Sequence, residues 1–328
     1  MDRIPVFFEG QDDLIGPLAV SIESICYNTQ SQVDFYILDC GVNCLNKKLL
    51  RKIIEKYENT TIEFIPIDLK QFKGLKGYTA GNFIDCYSRL LIPELKPEFD
   101  KVIYLDNDTM TLSDIRLLWE QDLNGYEIAA CPDIGYNLCH QTRCMKFGIP
   151  QDQIFLNAGV LIIDCAAWRK NNVGQKLLEL AVKIKDHLLL IQEDLLNLYY
   201  KNNNYKRLDL RFNMRQNENE IQFVCAPDIT NEYIETERKN TVIQHFTPKK
   251  PWLHQNILNE EDFWFFAMRT PFGKGLEIKL QNSMFIPPFN KKKYSLFGFL
   301  PLLTVKKKNK TTRYKLFGFL PIMKKKEG

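Results

Sequence analysis

Two aspartates one residue apart, Asp106 and Asp108, follow an apolar run at residues 102–105, with Asn107 between them. The run lacks helical spacing and predicts a buried strand whose last side chains emerge at a sheet edge, where ligands of open α/β sheets collect. Carboxylates there suit Mg²⁺ or Mn²⁺, and such a cation could stabilise a diphosphate as a leaving group. A solvated turn without a ligand is the alternative, so a second stretch of sequence is needed to choose between the two interpretations.

A second stretch, residues 155–164, contains Asn157 followed by Ala158 and Gly159. Gly159 is predicted to open a four-residue apolar strand, and a small Ala-Gly pair lets a ligand approach the backbone. Asn157 offers both a donor and an acceptor, which suits sugar hydroxyls. This stretch therefore predicts a sugar contact near a strand.

Two later stretches add charged groups. Gln192, Glu193 and Asp194 precede an apolar helical run, where they either cap the helix or aim a carboxylate into a site. His245 ends another β-like run, and Lys250 follows five residues later. A lone histidine is usually structural, but imidazole suits Mn²⁺ beside carboxylates, and the lysine could neutralise phosphate.

Arg89 lies in a predicted helix over residues 85–93 that leads toward the central strand. Its rigid, permanently charged fork suits a phosphate or a sugar hydroxyl. A surface salt bridge is equally compatible with the sequence.

The elements that must position these residues begin with an alternating pattern. Strands are predicted at residues 4–8, 33–38 and 61–66, with helices at 17–28 and 46–57 between them. This order predicts a parallel sheet covered by helices on both faces. A nucleotide would then lie near the first loop, at Gly10, Gln11, Asp12 and Asp13. G-x-G-x-x-G and P-loop motifs are absent, which argues against dinucleotide and P-loop enzymes.

Composition is that of a globular protein. The chain has 328 residues, 45% hydrophobic and 26% charged, which fits one large α/β domain with an appendage or two modest domains. Nine cysteines form no C-x-x-C pair, so free thiols in a reducing cytoplasm are expected. Neither a signal peptide nor a run approaching the ~20 apolar residues of a membrane span is found.

The C-terminal segment has a different character. From residue 291 onward there are twelve Lys/Arg and one acid, a charge of +11, which leaves −7 on the preceding 290 residues. An acidic body argues against nucleic-acid binding. Residues 294–303 and 314–323 repeat at a spacing of 20 around Leu-Phe-Gly-Phe-Leu-Pro, and lysines follow each copy. This pattern predicts an anchor on an anionic membrane; an oligomer contact or a packed hairpin is the alternative.

Together and in this order, the four stretches resemble glycosyltransferase family 8, which includes bacterial lipooligosaccharide galactosyl- and glucosyltransferases and glycogenin. The resemblance covers residues 4–252 and implies a GT-A fold: a Rossmann-like, mixed but mainly parallel sheet that binds a nucleotide sugar. It implies Mn²⁺, or Mg²⁺, held by Asp106, Asp108 and His245. The implied donor-site residues are Lys250 at the phosphates, Arg89, Asp133 and Asn157 at the sugar, the loop from Gly10 to Asp13 at the uridine, and Asn107 and Ala158 beside them.

Three positions depart from the family pattern. The family's D-Q-D segment reads Gln192-Glu193-Asp194, and we hypothesise that Glu193 acts as nucleophile or oxocarbenium stabiliser, because a carboxylate does either better than an amide. The closing motif has no glycine between His245 and Lys250. Leu14 stands where many members carry a tyrosine near the uracil.

The resemblance implies a retaining transferase that moves galactose or glucose from a UDP-sugar to a lipopolysaccharide, lipooligosaccharide or other surface glycan, forming an α-glycoside. We expect a catalytic domain at 1–255, a connecting helical segment at 256–290 and a membrane-associating tail at 291–328, on the cytoplasmic face of a bacterial inner membrane. An inactive nucleotide-sugar-binding subunit and a sugar nucleotidyltransferase remain as alternatives.

Overall fold

The structure, a computed structural model, describes residues 3–77, 84–133, 147–215 and 226–285, and further strands between residues 290 and 326. It comprises two compact units. The first contains residues 1–250 and 257–274, and the second contains residues 251–256 and 275–328.

A seven-stranded sheet forms the centre of the first unit, in the order β3-β2-β1-β4-β7-β6-β8. Neighbouring strands are parallel except where β7 runs antiparallel to both β4 and β6. A separate two-stranded sheet pairs β5 with β9. The strands are β1 Ile4–Gly10, β2 Val33–Asp39, β3 Thr60–Pro66, β4 Lys101–Leu105, β5 Thr109–Thr111, β6 Ile128–Pro132, β7 Leu156–Asp164, β8 Lys206–Arg207 and β9 Ile243–His245.

Helices cover the sheet. Asn43 begins the second helix by accepting the N–H of Asn46, as N-cap asparagines do. The described helices are α1 Ile15–Asn28, α2 Cys44–Ile54, α3 Ile92–Leu95, α4 Arg116–Trp119, α5 Cys165–Asn171, α6 Val173–Ile184, α7 Gln192–Tyr199, α8 Asn231–Lys239, α9 Glu260–Met268 and α10 Gly273–Phe285. Among the described residues, no helix has both the length and the apolar character to cross a membrane.

Two hydrophobic cores lie on opposite faces of the sheet, because successive strand residues point to opposite sides. In β4, Ile103 and Leu105 join one core while Val102 and Tyr104 join the other. β4 is buried on both faces, as its uninterrupted apolar sequence predicts. The α/β fold with a mainly parallel sheet is confirmed.

Local structure differs from the expectation at two places, one around Arg89 and one around Gly159. The segment predicted as one helix at 85–93 is a 3₁₀ helix, Asp85–Leu91, followed by the short α3. Gly159 does not open its strand but lies in the middle of β7, which begins at Leu156. The apolar run after Gly159 marked the strand's interior, whereas the buried polar Asn157 near its start interrupted the apolar pattern.

The C-terminal segment forms a four-stranded antiparallel sheet in the order β10-β11-β12-β13. Its strands are Asn290–Leu296, Leu300–Lys308, Thr311–Leu316 and Leu320–Lys326. The two copies of the sequence repeat have the same strand pairing. Tyr294 pairs with Leu303 in the first copy, and Tyr314 pairs with Met323 at the equivalent positions of the second. Each hairpin shifts register directly after its tyrosine. The repeated unit is therefore a β-hairpin.

Candidate metal and sugar-transfer site

The small β5–β9 sheet brings His245 to the aspartate pair across 137 positions of sequence. Thr109 pairs with His245 in this sheet, and the Phe246 N–H donates to the Asp108 carbonyl at 2.9 Å. A chain segment distant in sequence thus lies across the end of the aspartate strand.

Three potential ligand atoms, one each from Asp106, Asp108 and His245, lie within 4.8 Å of one another. His245 Nε2 is 3.2 Å from Asp108 Oδ1 and 3.9 Å from Asp106 Oδ2. Two carboxylates and an imidazole form a donor set that suits Mn²⁺. These three residues therefore fit the metal site that the sequence predicts.

Lys250 pairs with the second aspartate of the trio, Asp108. Burial alone would raise the pKa of Asp108, but the Lys250 ammonium and the His245 ring overcome it and hold that pKa well below its usual range. Asp108 therefore stays ionised and ready to accept a cation across the physiological pH range. The predicted phosphate contact, Lys250, lies directly beside the metal trio.

Arg89 is buried behind the first aspartate. Its Nη2 donates to Asp106 Oδ1 at 3.0 Å, its Nε to Glu9 Oε1 at 3.0 Å and its Nη1 to the Ala158 carbonyl at 2.8 Å. The guanidinium also lies 4.1 Å from the centroid of the Tyr104 ring. A surface salt bridge is therefore the wrong interpretation of Arg89, because the side chain is only 2% exposed.

Burial raises the pKa of Glu9 to about 7, against the opposing charge of Arg89. Tyr104 donates its hydroxyl to Asp106 Oδ1 at 3.0 Å, the same oxygen that Arg89 contacts. Donors on Oδ1 leave Oδ2, the oxygen nearer His245, for a cation.

Asn157 connects the acidic groups on the other side of the site. Its Nδ2 donates to Asp133 Oδ2 at 2.7 Å and to Glu193 Oε2 at 3.0 Å, while its Oδ1 accepts the Gly159 N–H at 3.0 Å. Arg215 Nη1 donates to Asp133 Oδ1 at 2.8 Å. Asn157, Asp133 and Glu193, all predicted as site residues, are therefore brought together.

Glu193 is held rigidly but keeps one carboxyl oxygen unused. Oε2 accepts from Asn157 and from the Ala158 N–H, whereas the buried Oε1 has no hydrogen-bond partner among the described residues. Burial, and then the charge of Asp133, raise the pKa of Glu193 well above its usual value. A buried oxygen without a hydrogen bond lowers the stability of the fold by about 1–3 kcal/mol. Proteins often tolerate such a loss at a functional site.

The backbone before Glu193 is strained as well. Ile191 has φ +41° and ψ −107°, an unfavourable conformation for a β-branched residue. Strain of this kind costs of order 1–3 kcal/mol and clusters at functional sites. One turn beyond Glu193, Asn197 donates to the Leu156 carbonyl at 2.9 Å and accepts the Leu156 N–H at 2.8 Å, which fixes α7 against β7.

Other predicted residues have structural contacts. Asp194 Oδ2 accepts the N–H groups of Leu189 and Leu190 at 2.5 and 2.9 Å, so it stabilises the turn before α7. Gln192 is buried at the start of the same helix. Asp12 accepts three hydrogen bonds from Asn43 and Asn46, which fasten the first loop to α2.

The remaining donor-site predictions lie close to strand ends. Gly10 ends β1, and an added Cβ would lie 2.5 Å from Ile37 Cγ2, so only glycine fits there. Gln11 precedes the 3₁₀ turn Asp12–Leu14, where Asp13 is exposed. Asn107 is buried between the two aspartates.

Gly159 leaves space for the imidazole. A Cβ at this position would lie 2.3 Å from His245 Cε1 and 2.8 Å from its Nδ1. We expect Gly159→Ala to destabilise the fold by about 1–3 kcal/mol, the typical cost of overpacking, and to weaken Mn²⁺ binding because the ring must move. Titration of Mn²⁺ and thermal unfolding measure the two effects.

The matched control is Gly275→Ala, since an added Cβ at Gly275 has no neighbour within 4 Å. Gly275 lies in α10, where alanine should stabilise the helix by roughly 0.5–1 kcal/mol. Unchanged Mn²⁺ affinity in Gly159→Ala would show that the His245 ring is not held by this contact.

Three residues of the site lacked any sequence signal. Asn213 and Arg215 follow the 3₁₀ turn Leu210–Phe212 in a segment without a periodic pattern. Tyr104 looked like one more apolar residue of a buried strand, although its hydroxyl reaches Asp106. Only tertiary contacts identify them.

Comparison with known proteins gives consistent results. The sequence model of glycosyl transferase family 8 matches residues 5–256. The chain is 29% identical over 253 residues to glycosyltransferase GlyF of Streptococcus pneumoniae, covering 76% of this chain and 57% of GlyF. It is 30% identical over 249 residues to general stress protein A of Bacillus subtilis, covering 73% of this chain and 83% of that protein. The chain thus spans less than two thirds of the length of GlyF.

Among solved structures, the galactosyltransferase LgtC in complex with donor and acceptor sugar analogues aligns with a TM-score of 0.70 and 24% identity. The alignment covers 82% of this chain and 96% of LgtC. An active-site mutant of LgtC, with glutamate replacing a glutamine, gives the same values. These structures establish the GT-A fold.

Proposed function

Since the chain belongs to glycosyltransferase family 8, we propose that it is a metal-dependent, retaining hexosyltransferase that uses a UDP-sugar donor. The single observation that carries this proposal is that Asp106, Asp108 and His245 converge and are connected by hydrogen bonds to Glu193, a buried carboxyl with one oxygen that has no partner among the described residues. The backbone of Ala158 connects the three residues to Glu193. Its carbonyl accepts from Arg89, which also contacts Asp106, and its N–H donates to Glu193.

In this proposal Asp106, Asp108 and His245 hold Mn²⁺, or Mg²⁺. When bound, the cation supplies Lewis-acid stabilisation of the diphosphate leaving group. Arg89 and Tyr104 fix the orientation of Asp106. The Lys250 ammonium, which pairs with Asp108, turns toward the phosphates when the donor binds. The loop from Gly10 to Asp13 holds the uridine.

Glu193 is the residue that we place under the anomeric carbon of the donor. Oε2 is anchored by Asn157 and Ala158, whereas Oε1 has no partner in the described part of the chain and is proposed to face the sugar. The raised pKa of Glu193 shifts its ionisation to higher pH, and once ionised the carboxylate acts as nucleophile or stabilises positive charge on the ring, consistent with retention of configuration.

The donor sugar is proposed to be galactose or glucose, contacted by Asp133 and Asn157. LgtC, solved with donor and acceptor sugar analogues, supports a sugar acceptor, and we propose a lipopolysaccharide, lipooligosaccharide or other surface glycan. The product would be an α-glycoside.

The test is UDP release by the purified chain from a panel of UDP-sugars, with Mn²⁺ and with EDTA. Many glycosyltransferases slowly transfer their donor to water, so the acceptor need not be known. We expect metal-dependent UDP release from one hexose donor. Release of pyrophosphate from UTP and a hexose 1-phosphate, supplied in a parallel assay, would instead indicate a nucleotidyltransferase, and UDP binding without turnover an inactive binding subunit.

We further propose that the C-terminal sheet binds an anionic membrane surface. Lys291, Lys306, Arg313 and Lys324 occupy one register row across its four strands. A register row of four basic residues favours a negatively charged partner. A membrane surface provides one and also holds lipid-linked acceptors.

We expect the full chain to sediment with vesicles containing phosphatidylglycerol and not with pure phosphatidylcholine vesicles. Replacing Lys306, Arg313 and Lys324 with glutamine should weaken this binding by roughly 100-fold, since each basic residue near the surface contributes ~1 kcal/mol. The control replaces Lys48, Lys52 and Lys73, exposed lysines of the first unit. Equal losses from both triple variants would contradict a specific role for the sheet, because non-specific charge would then explain binding.

A further inference from the structure

Asn213 is buried beside the metal trio and belongs to a chain of hydrogen bonds that ends on His245. Its Oδ1 is 2.9 Å from His245 Nδ1, and its Nδ2 donates to Asn157 Oδ1 at 2.8 Å. The side chain is 3% exposed. It therefore contacts a predicted metal ligand on one side and a predicted sugar contact on the other.

The orientation of Asn157 is determined by its neighbours. Its Nδ2 faces two carboxyl groups, Asp133 and Glu193, and its Oδ1 faces the Gly159 N–H. Reversing this amide would place its oxygen against two acidic groups and its NH₂ against an N–H donor. Asn157 Oδ1 is therefore an acceptor, and no other assignment satisfies all three contacts.

This orientation fixes the next amide in turn. An acceptor at Asn157 Oδ1 requires that Asn213 present its NH₂ group there, which leaves Asn213 Oδ1 facing the imidazole. A carbonyl oxygen can only accept, so His245 Nδ1 must donate. The order of donors and acceptors thus runs without a break from the carboxyl groups to the histidine ring.

We infer that Asn213 is a positioning residue that keeps the His245 proton on Nδ1 and reserves the Nε2 lone pair for a divalent cation. Nε2 is the nitrogen that faces Asp106 and Asp108. Partners of this kind set the tautomer and ring orientation of metal-binding histidines, and their loss typically weakens metal affinity 10–100-fold. The inference rests on the proposed metal site.

Backbone contacts explain how Asn213 is held there. The Met214 N–H donates to the Ile243 carbonyl at 2.8 Å, and the His245 N–H donates to the Met214 carbonyl at 2.8 Å. The segment around Asn213 therefore runs beside β9 and moves with the histidine that it orients.

The test measures Mn²⁺ affinity by electron paramagnetic resonance titration without any donor sugar, for the wild type, Asn213→Leu and Asn213→Asp. Leucine removes the acceptor, and we expect affinity to fall about 10–100-fold. Aspartate keeps an oxygen toward Nδ1 but loses the donor to Asn157 Oδ1, so the Mn²⁺ affinity of Asn213→Asp should lie above that of Asn213→Leu. Asn59→Leu removes amide hydrogen bonds to the Thr29 and Ser31 carbonyls and controls for a general loss of stability.

A second readout is the ¹⁵N spectrum of the four histidines in the Mg²⁺-saturated protein. The His245 signals should show a protonated Nδ1 in the wild type. An unprotonated Nδ1 there, or Mn²⁺ affinity of Asn213→Leu within twofold of the wild type, would overturn the inference. Absence of Mn²⁺ binding by the wild type would instead remove the proposed metal site itself.

Discussion

Replacing Asp108 with alanine should lower metal-dependent UDP release by on the order of 10³-fold, because a bound cation contributes several kcal/mol to stabilising the leaving group. Asp108 is the carboxylate that both His245 and Lys250 contact. Its removal leaves the trio with two ligands and Lys250 without its carboxylate partner Asp108. Initial rates of UDP release across a Mn²⁺ titration measure the effect.

The control for Asp108→Ala is Asp100→Ala, which removes an exposed carboxylate that pairs with Arg169. Its UDP release should equal that of the wild type, because surface ion pairs contribute ~0–1 kcal/mol. If Asp108→Ala kept more than a tenth of the wild-type rate with the same Mn²⁺ dependence, the trio would not be the catalytic metal site.

Glu193→Gln should reduce UDP release by roughly 10²–10⁴-fold, the range for loss of a positioned catalytic group, while making the protein more stable at alkaline pH. Glutamine keeps the shape of the side chain and can still accept from Asn157, but it cannot become a carboxylate. The same substitution removes a buried ionisable group from the neighbourhood of Asp133.

The stability effect has a definite dependence on pH. Because the pKa of Glu193 is raised in the folded protein, the folded state binds this proton more tightly than the unfolded chain does. Wild-type stability therefore falls as pH rises from the unfolded pKa, about 4.3, through the raised folded pKa. Glu193→Gln avoids this loss. The variant should therefore match the wild type in stability near the unfolded-state pKa of Glu193, and its full gain in stability should appear above the folded-state pKa.

We expect a gain on the order of 1–2 kcal/mol at alkaline pH, or ~2–8 °C in Tm for a unit of this size. Thermal unfolding across a pH series measures it. Glu94→Gln is the control, since burial also raises the pKa of Glu94 but this residue lies in α3, away from the described contacts of the site. Near-wild-type turnover by Glu193→Gln, or an inverted glycoside from the native enzyme, would exclude Glu193 as the group under the sugar.

Much of this site could be predicted from the sequence because its residues follow strand ends. Asp106 and Asp108 directly follow a buried strand, and His245 ends another, so their types and positions were informative. Asn213 could not be predicted, because its role depends on two neighbours, Asn157 and His245, that are close only in the folded chain. The raised pKa of Glu193 likewise depends on burial in the folded chain and then on the charge of Asp133, sixty residues away in sequence.

The fold shows the same limit. Periodicity identified the first three strands, since each has a period of two or a continuous apolar run. It could not show that β7 runs antiparallel to β4, because strand direction depends on how the chain crosses between strands. It also missed the start of β7, where Asn157 replaces the expected apolar residue. This proposed site residue thus interrupted the pattern on which the prediction relied.

The pairing of β5 with β9 has a consequence for folding and synthesis. The seven strands of the main sheet are all encoded before residue 208, whereas β9 begins at Ile243. During translation the sheet can therefore form before His245, the third residue of the proposed cation site, has been made, and contacts between such distant segments close slowly. A cation that binds only the completed trio stabilises the finished unit by mass action, by ~2.7 kcal/mol at a concentration 100 times its Kd. Metal supply would then contribute to the yield of folded protein as well as to its activity.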